Sequence, residues 1–306
     1  MRSIGVDIGG SHVSSCMYEH LDKTLLPETH VTLPVHPQAS RETILATWAA
    51  AIRQTSASLH LPFQGVGIAM PGPFDYYHGI GLFQGVCKYE SLYQANIREE
   101  LSGRLNLPGQ RVRFINDATA FSIAEARVGK TRHYARHVAL TLGTGLGASF
   151  LIDGTPIIQG EQVPPGGYLY DKRHGDALAD DVFSSRGLVQ KYFELSGHRV
   201  EGVLAICQRI PTDQPAIQTF EWFGRELGRF LTPFLTRFRA DVLIIGGNIA
   251  KAHPYFLATL TAHLPEVAIH ISTFGEDSAM LGAALLLDDT YYEALATPYY
   301  AALKTI

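Results

Sequence analysis

Two glycine-rich turns follow short apolar strands in this sequence, and both are candidates for phosphate binding. Glycine lets backbone N–H groups approach phosphate oxygens closely. The turns are Gly9-Gly10-Ser11 and Gly143-Thr144-Gly145-Leu146-Gly147. Either one alone is explained equally well by a plain hairpin turn. Because they recur nearly half the chain apart, with Asp7 just before the first, their pattern favours phosphate binding. A carboxylate at that position suits a Mg²⁺ ion held through water.

A possible general base stands where a strand-like segment, Val112–Ile115, gives way to a helical one, Ala118–Val128. Asn116 and Asp117 lie at this junction. A carboxylate at the carboxyl end of a strand faces the crevice where α/β proteins bind ligands, and it can accept a hydroxyl proton there. An Asp at a helix start is also an ordinary N-cap. The residues alone leave both interpretations open.

A third strand-to-glycine junction, Gly246-Gly247-Asn248, follows the apolar segment Val242–Ile245. It is either a simple tight turn or a place where a flat heterocycle packs against backbone. None of the three glycine junctions has the Gly-Lys-Ser/Thr of a Walker loop, and the first two lack the following helix of a dinucleotide fingerprint.

The elements that must position these residues alternate along the chain. Strand-like segments cover residues 4–8, 12–18, 66–70, 112–115, 138–142, 148–152 and 242–245. Apolar residues at helical spacing cover 40–59, 97–105, 118–128, 186–196, 220–238, 280–287 and 291–303. This alternation predicts an α/β class, and the two strand–turn–strand units predict an internal repeat of two similar halves.

Composition excludes several classes of protein. The chain has 306 residues, 46% hydrophobic and 18% charged, enough for two domains with full cores. Its net charge of −4 and the absence of long Lys/Arg clusters disfavour binding to nucleic acid. Its three cysteines are too widely spaced for a metal knuckle or a disulfide framework. The longest apolar run, Ala279–Leu287, is about half of what a bilayer needs. We therefore expect a soluble cytoplasmic protein without a membrane partner.

With these residues in place, the chain resembles the ROK family of sugar kinases, within the actin, sugar-kinase and heat-shock ATPase superfamily. Five motifs carry the resemblance, in order and over essentially the whole chain. They are Asp7 to Ser11 and Leu142 to Gly147 for phosphate, Ile245 to Ala250 for adenosine, Phe114 to Ala118 for catalysis, and Gly67 to Pro73 on the sugar side.

The resemblance implies two ribonuclease-H-like domains flanking a cleft, and an ATP-dependent kinase acting on a hexose or hexose derivative. It implies a smaller domain of residues 1–116 plus the closing helix 291–306, and a larger domain of residues 117–290. Asp117 would take a proton from the sugar, from its 6-hydroxyl in our interpretation. The sugar would also meet Pro71, Gly72 and Asn116. The glycine turns, with Mg²⁺ held by Asp7 through water, would hold ATP. ROK proteins are often homo-oligomers, so we expect this chain to form one, such as a dimer.

Sugar recognition departs from the family pattern. A Gly-Glu-x-Gly-His segment and a cysteine-rich zinc motif are usual in the family. Here Gly167 replaces the Glu, Tyr170 replaces the His, and residues 171–182 contain no cysteine. We therefore expect no structural zinc. A later family Glu is matched by Asp180, and we predict that Asp180, Asn116 and Asp117 hold the sugar with Tyr170 in the place of the His. The alternative is that Tyr170 only packs.

Other functions must be weighed against the kinase. The lost Glu and His raise the alternative of a catalytically silent sugar- or nucleotide-binding protein or regulator, which the retained Asp7, glycine turns and Asp117 disfavour. A sugar-sensing repressor would need a DNA-binding domain before the first phosphate motif, and that motif begins at residue 4. An ATPase acting on protein does not explain the Asn-Asp pair. The sequence leaves the identity of the sugar open.

Overall fold

Two compact units make up the chain in this computed structural model, which describes residues 1–303. The first unit comprises residues 1–124 and 277–300, and the second comprises residues 125–276 and those from 301 on. The strands and helices match the alternation predicted from the sequence, so the α/β class is confirmed.

The elements have the following bounds. The strands are β1 (Arg2–Ile8), β2 (His12–Glu19), β3 (Thr24–Pro34), β4 (Val66–Met70), β5 (Phe74–Asp75), β6 (Ile80–Gly81), β7 (Val112–Asn116), β8 (Arg136–Leu142), β9 (Leu146–Ile152), β10 (Thr155–Pro156), β11 (Arg173–His174), β12 (Ala177–Leu178), β13 (Val242–Gly246) and β14 (Ala268–Ile271). The α-helices are α1 (Arg41–Ala57), α2 (Ile97–Leu105), α3 (Asp117–Arg127), α4 (Ala179–Val182), α5 (Ser185–Ser196), α6 (Val203–Cys207), α7 (Gln214–Phe238), α8 (His253–His263), α9 (Asp277–Ala284) and α10 (Asp289–Leu295).

The main sheet of the first unit has the strand order β3-β2-β1-β4-β7. β2 runs antiparallel to β1, whereas β4 is parallel to β1 and β7 is parallel to β4. In this register Asp7 is opposite Ala69, and Met70 is opposite Asn116. The carboxyl ends of the three parallel strands therefore bring these candidate residues to one edge of the sheet, which is where open α/β sheets bind ligands.

The main sheet of the second unit repeats this pattern in the order β10-β9-β8-β13-β14. β9 is antiparallel to β8, while β13 and β14 continue in parallel. Gly246 is opposite Thr141, so the turn after β8 and the turn after β13 lie at the same edge. The internal repeat predicted from the two strand–turn–strand units is thus confirmed.

Helix α9 lies directly on the first sheet, against β1 and β4. A side chain at Gly5 would collide with the carbonyl of Met280, and one at Gly67 would collide with that of Ala283. The two glycines let a helix backbone approach a strand backbone, which any Cβ would prevent. These contacts belong to residues 277–290, which the sequence-based division had placed in the larger domain, as it had residues 117–124.

The closing segment predicted as one helix over 291–303 is divided. α10 ends at Leu295, and a π-helical turn continues from Ala296 to Ala301. Residues 304–306 of the predicted closing helix lie outside the described residues. Among residues 1–303, no helix has the length and apolar character needed to cross a membrane.

The core of the second unit is built around α7, which packs against α5 and α8. Its buried side chains include Phe220, Phe223, Leu227, Phe230 and Leu231, at helical spacing. Full burial of such a side chain stabilises the folded state by about 1.5–3 kcal/mol. These side chains share one buried cluster with Leu142 and Leu146, which flank the second glycine turn.

Candidate functional site

Asn116, at the end of β7, caps helix α3. Its Oδ1 accepts a hydrogen bond from the backbone N–H of Thr119, 3.1 Å away, as an N-cap side chain does. The capping role that the sequence left open for Asp117 therefore belongs to its neighbour. Asp117 is the first residue of the helix, and its carboxylate is left for other chemistry.

The Asp117 carboxylate is held through one oxygen. Its Oδ1 accepts from the Ala118 N–H at 2.8 Å and from the Asn116 Nδ2 at 3.0 Å. Burial raises the pKa of Asp117, while these hydrogen bonds and the positive charge of Lys88 partly offset that rise. A fixed carboxylate with a raised pKa is a better proton acceptor than an exposed one.

Tyr76 ties the ends of two neighbouring strands together. Its hydroxyl donates to the carbonyl of Met70 at 3.1 Å and accepts from Asn116 Nδ2 at 3.3 Å. The same hydroxyl lies 3.5 Å from where a Cβ on Gly72 would stand. The structure thus brings the Pro71–Gly72 segment, Asn116 and Asp117 together, while their contacts with a sugar stay predictions. The Gly72–Pro73 peptide is cis.

The first glycine turn connects β1 to β2 and is closed by a bond from the Gly9 N–H to the His12 carbonyl. A Cβ at Gly10 would have no heavy atom within 4 Å, so the middle of the turn is open. Tyr89 donates its hydroxyl to the Gly9 carbonyl, and its ring packs against Trp48. This buried tyrosine therefore holds the turn in position against the core.

Asp7 lies half-buried on β1, two residues before the turn. Its negative charge contributes to raising the pKa of Tyr89, after the larger effect of burial. A carboxylate oxygen at a strand end, beside an open glycine turn, is the type of ligand that Mg²⁺ takes, with water and phosphate oxygens completing its shell. The chemistry of the residues present therefore fits the expected ion.

The second glycine turn leaves backbone donors without partners. The carbonyl of Gly143 accepts from both the N–H and the hydroxyl of Ser185, at 2.8 and 2.9 Å. In the part of the chain that the structure describes, the N–H groups of Thr144 and Gly145 have no hydrogen-bond acceptor. Unpaired N–H groups at a turn form a concavity that suits phosphate oxygens.

The third glycine junction is a close approach between strands. Gly247 has a φ of 85°, and a Cβ there would collide with the carbonyl of Leu142. A larger residue is excluded both by this contact and by the left-handed backbone. Asn248 follows and is exposed. Gly246, Gly247 and Asn248, which the sequence predicts to bind adenosine, thus lie beside the second glycine turn.

Asp180 and Tyr170, the predicted replacements for family sugar ligands, lie next to each other in the second unit. The Asp180 N–H donates to the Tyr170 carbonyl at 3.1 Å. Both Asp180 oxygens have protein partners, Leu146 N–H at 2.7 Å and Arg186 at 2.8 Å. Tyr170 is 47% exposed, and its ring contacts that of Tyr168. The sugar contacts of both residues stay predictions.

The cysteine-free segment 171–182 contacts α7 through His174. His174 Nε2 and Glu226 Oε2 are 3.2 Å apart, and the imidazole ring contacts Phe183 and Phe230. Within residues 1–303, no three His, Cys, Asp or Glu side chains group so as to hold a metal ion.

Sequence reasoning missed Tyr76, Lys88 and Tyr89. Each lies in an irregular segment without strand or helix periodicity, where position relative to the strand ends is set by tertiary contacts. Lys88 is flanked by two residues with left-handed backbone, Cys87 and Tyr89. No single-sequence pattern signals such a conformation at non-glycine residues.

The chain is similar to known proteins in sequence and in fold. The sequence matches the family model described as "ROK family" over residues 3–290. It is 25% identical to the glucokinase of Thermotoga maritima over 94% of this chain and 98% of that protein. It is 26% identical to the N-acetylgalactosamine kinase AgaK of Shewanella sp. strain ANA-3, covering 92% and 95%. The structure superposes on a ROK family glucokinase from Streptomyces griseus, in complex with glucose and AMPPNP, with a TM-score of 0.74 and 20% identity over 94% and 99%.

Proposed function

This chain belongs to the ROK family, and from that premise we propose that it is a sugar kinase that transfers the γ-phosphoryl group of ATP to a hexose or hexose derivative. The observation that carries the proposal is the Asp117 carboxylate, held by Asn116 at a strand end with a raised pKa. The names of the two relatives, both sugar kinases, and the glucose and AMPPNP in the Streptomyces structure support the reaction class.

Asp117 would act as the general base. Its Oδ1 is occupied by two donors, whereas Oδ2 has no comparable partner among residues 1–303 and would face the sugar. Oδ2 would accept the proton of the sugar hydroxyl, the 6-hydroxyl in our proposal, as that oxygen forms its bond to the γ-phosphorus. The bond from the γ-phosphorus to the bridging oxygen breaks, and ADP leaves. A positioned general base contributes about 10²–10⁴-fold in rate.

Backbone donors would hold the phosphates. The unpaired N–H groups of Thr144 and Gly145, and the open turn at Gly9, Gly10 and Ser11, are suited to phosphate oxygens. Asp7 would hold Mg²⁺ through water, and the ion would supply charge neutralisation on the phosphates. Gly143 would contribute its turn geometry. Phosphoryl transfer depends chiefly on such positioning and electrostatics.

The adenine side and the sugar side would be formed by different elements. Gly246, together with the exposed Gly247 and Asn248, would form a backbone surface on which a flat ring can pack. Asn116, Pro71 and Gly72 would contact the sugar. Tyr170 would donate its hydroxyl where the family has a His. The relatives are named for glucose and for N-acetylgalactosamine, so we keep hexoses and their N-acyl derivatives together as the substrate class. A homodimer stays a prediction.

A coupled ADP-release assay tests the proposal. Purified protein with ATP and Mg²⁺ would be tested against a panel of neutral hexoses and N-acylated hexosamines, with Asp117→Asn as the matched inactive control. We expect sugar-dependent ADP release by the unmodified protein on at least one sugar and loss of that release in the variant. Binding of sugar and nucleotide without turnover would favour the alternative, a catalytically silent binding protein.

A further inference from the structure

Two charged side chains hold the second glycine turn in shape. Asp180 Oδ1 accepts from the Leu146 N–H at 2.7 Å, and Oδ2 accepts from an Arg186 nitrogen at 2.8 Å. The other terminal nitrogen of Arg186 donates to the carbonyl of Thr144 at 3.0 Å. Hydrogen bonds therefore link Leu146 to Asp180, Asp180 to Arg186, and Arg186 to Thr144. Together they form a ring of contacts around Gly145.

This ring fixes the polar groups of the turn selectively. It satisfies the N–H of Leu146 and the carbonyl of Thr144, while Ser185 satisfies the carbonyl of Gly143. Within this turn, the N–H groups of Thr144 and Gly145 have no hydrogen-bond acceptor among residues 1–303. A Cβ at Gly145 would stand 2.7 Å from Asp180 Oδ1, so the carboxylate packs closely against the turn.

We infer that Asp180 and Arg186 are positioning residues for the nucleotide phosphates, acting through the turn 143–147 rather than by touching the sugar. The inference rests on the proposed kinase function. It reassigns Asp180, because the hydrogen bonds that its two oxygens accept join it to the turn and to Arg186.

The exposure of the pair argues against a role in stability alone. The Arg186 side chain is 60% exposed and that of Asp180 is 29% exposed. Exposed ion pairs contribute little to the free energy of unfolding. Variants should therefore fold, and a change in nucleotide affinity can be measured separately from a change in stability.

Asp181 supplies the matched control. Its carboxylate is 62% exposed and lies 3.4 Å from the same Arg186 nitrogen, yet no described hydrogen bond joins it to the turn. Asp181→Ala thus removes a neighbouring charge without removing the contact with Leu146.

The experiment measures the KM for ATP and the KM for the sugar separately, the Kd for ADP by calorimetry without sugar, and Tm. For Asp180→Ala we expect an increase of about tenfold or more in the ATP KM and the ADP Kd, as for loss of a charge-assisted contact. The sugar KM and Tm should stay nearly unchanged. Asp180→Asn should be intermediate, because an amide oxygen can still accept from Leu146. Arg186→Ala should shift the same constants, non-additively with Asp180→Ala, and Asp181→Ala should not.

Two outcomes would overturn the inference. A rise in the sugar KM of Asp180→Ala with an unchanged ADP Kd would return Asp180 to the sugar site. Unchanged constants in both variants would make the ring of contacts irrelevant to binding. Because ADP binding is measured without sugar, turnover failure in the unmodified protein would count against the kinase function alone. Failure of the unmodified protein to bind ADP would overturn both.

Discussion

Asn116 and Asp117 share a hydrogen bond, 3.0 Å from Asn116 Nδ2 to Asp117 Oδ1, at the junction of β7 and α3. Asn116 uses its other side-chain atom, Oδ1, to cap the helix. One amide therefore starts the helix and orients the carboxylate that follows. The order Asn-Asp matters, because the reverse order would place the carboxylate at the N-cap position, where it would cap the helix.

Asp117→Asn should lower kcat by about 10²–10⁴-fold. The affinity for nucleotide should stay within a few-fold of that of the unmodified protein. The amide keeps the shape and can still accept from Ala118, but it cannot take the hydroxyl proton. Steady-state kinetics and ADP calorimetry measure the two properties. Asp22→Asn, in an exposed turn, serves as the control. Near wild-type kcat in Asp117→Asn would show that the carboxylate is not the base.

Asn116→Ala should lower both stability and activity. Loss of the cap on α3 costs about 1 kcal/mol, measured as a lower Tm or denaturation midpoint. Loss of the Nδ2 donor frees Asp117 Oδ1 and Tyr76, so kcat should also fall. Asn116→Ser can restore the cap but not the second contact. We expect this variant to regain stability without regaining kcat, and recovery of both would contradict the positioning role.

Lys88→Met should shift the pH dependence of activity. The base must be ionised, and burial raises the pKa of Asp117 while the Lys88 charge lowers it. Removing that charge raises the pKa of Asp117 further. On acidification, Lys88→Met should therefore lose its activity at a higher pH than the unmodified protein does. The acid limb of kcat/KM measures this. Lys88→Arg keeps the charge and should keep the limb in place. An unmoved limb in Lys88→Met would place the ammonium outside the electrostatic reach of the base.

Tyr170→Phe tests whether the hydroxyl that replaces the family His contacts the sugar. Burial and the charges of Asp171 and Asp180 raise the pKa of Tyr170, so the hydroxyl stays protonated as a donor at neutral pH. A lost hydrogen bond to the sugar should raise the sugar KM by about tenfold, with the ATP KM unchanged. Tyr168→Phe, with its ring against Tyr170, is the neighbouring control. An unaffected sugar KM would mean that Tyr170 only packs.

The strong sequence patterns predicted the fold well. Helix α2 and strand β4 have the bounds given by their apolar spacing, and the predicted helix over residues 40–59 begins after its Ser40 cap as α1. Strand β3 was missed, since its sequence contains Pro27 and its side chains are mostly exposed. A proline is tolerated there because β3 is an edge strand, and a position at the edge is a property of the sheet rather than of the segment.

The site was predictable where backbone chemistry forces a residue type, and less so elsewhere. Gly247 is required by a close approach, and an Asn before a helix has a strong capping preference. Asp180 was aligned with a sugar ligand, yet its contacts depend on Arg186 and on Leu146, 34 residues earlier in the chain. Such long-range partners leave no periodic signal, so Asp180, Lys88 and Tyr76 needed the three-dimensional structure.

The loop without the zinc motif should keep its fold when metal is withheld. His174 is held instead by Glu226 on α7 and by the rings of Phe183 and Phe230. We expect elemental analysis of protein purified under chelation to find no stoichiometric zinc, and EDTA to leave Tm unchanged. His174→Ala should lower the free energy of unfolding by about 1–3 kcal/mol, since it leaves the partly buried Glu226 without this contact. His198→Ala, at an exposed position, should not. One zinc per chain, with a Tm lowered by EDTA, would show that metal rather than the aromatic contacts and the His174–Glu226 contact fixes the loop.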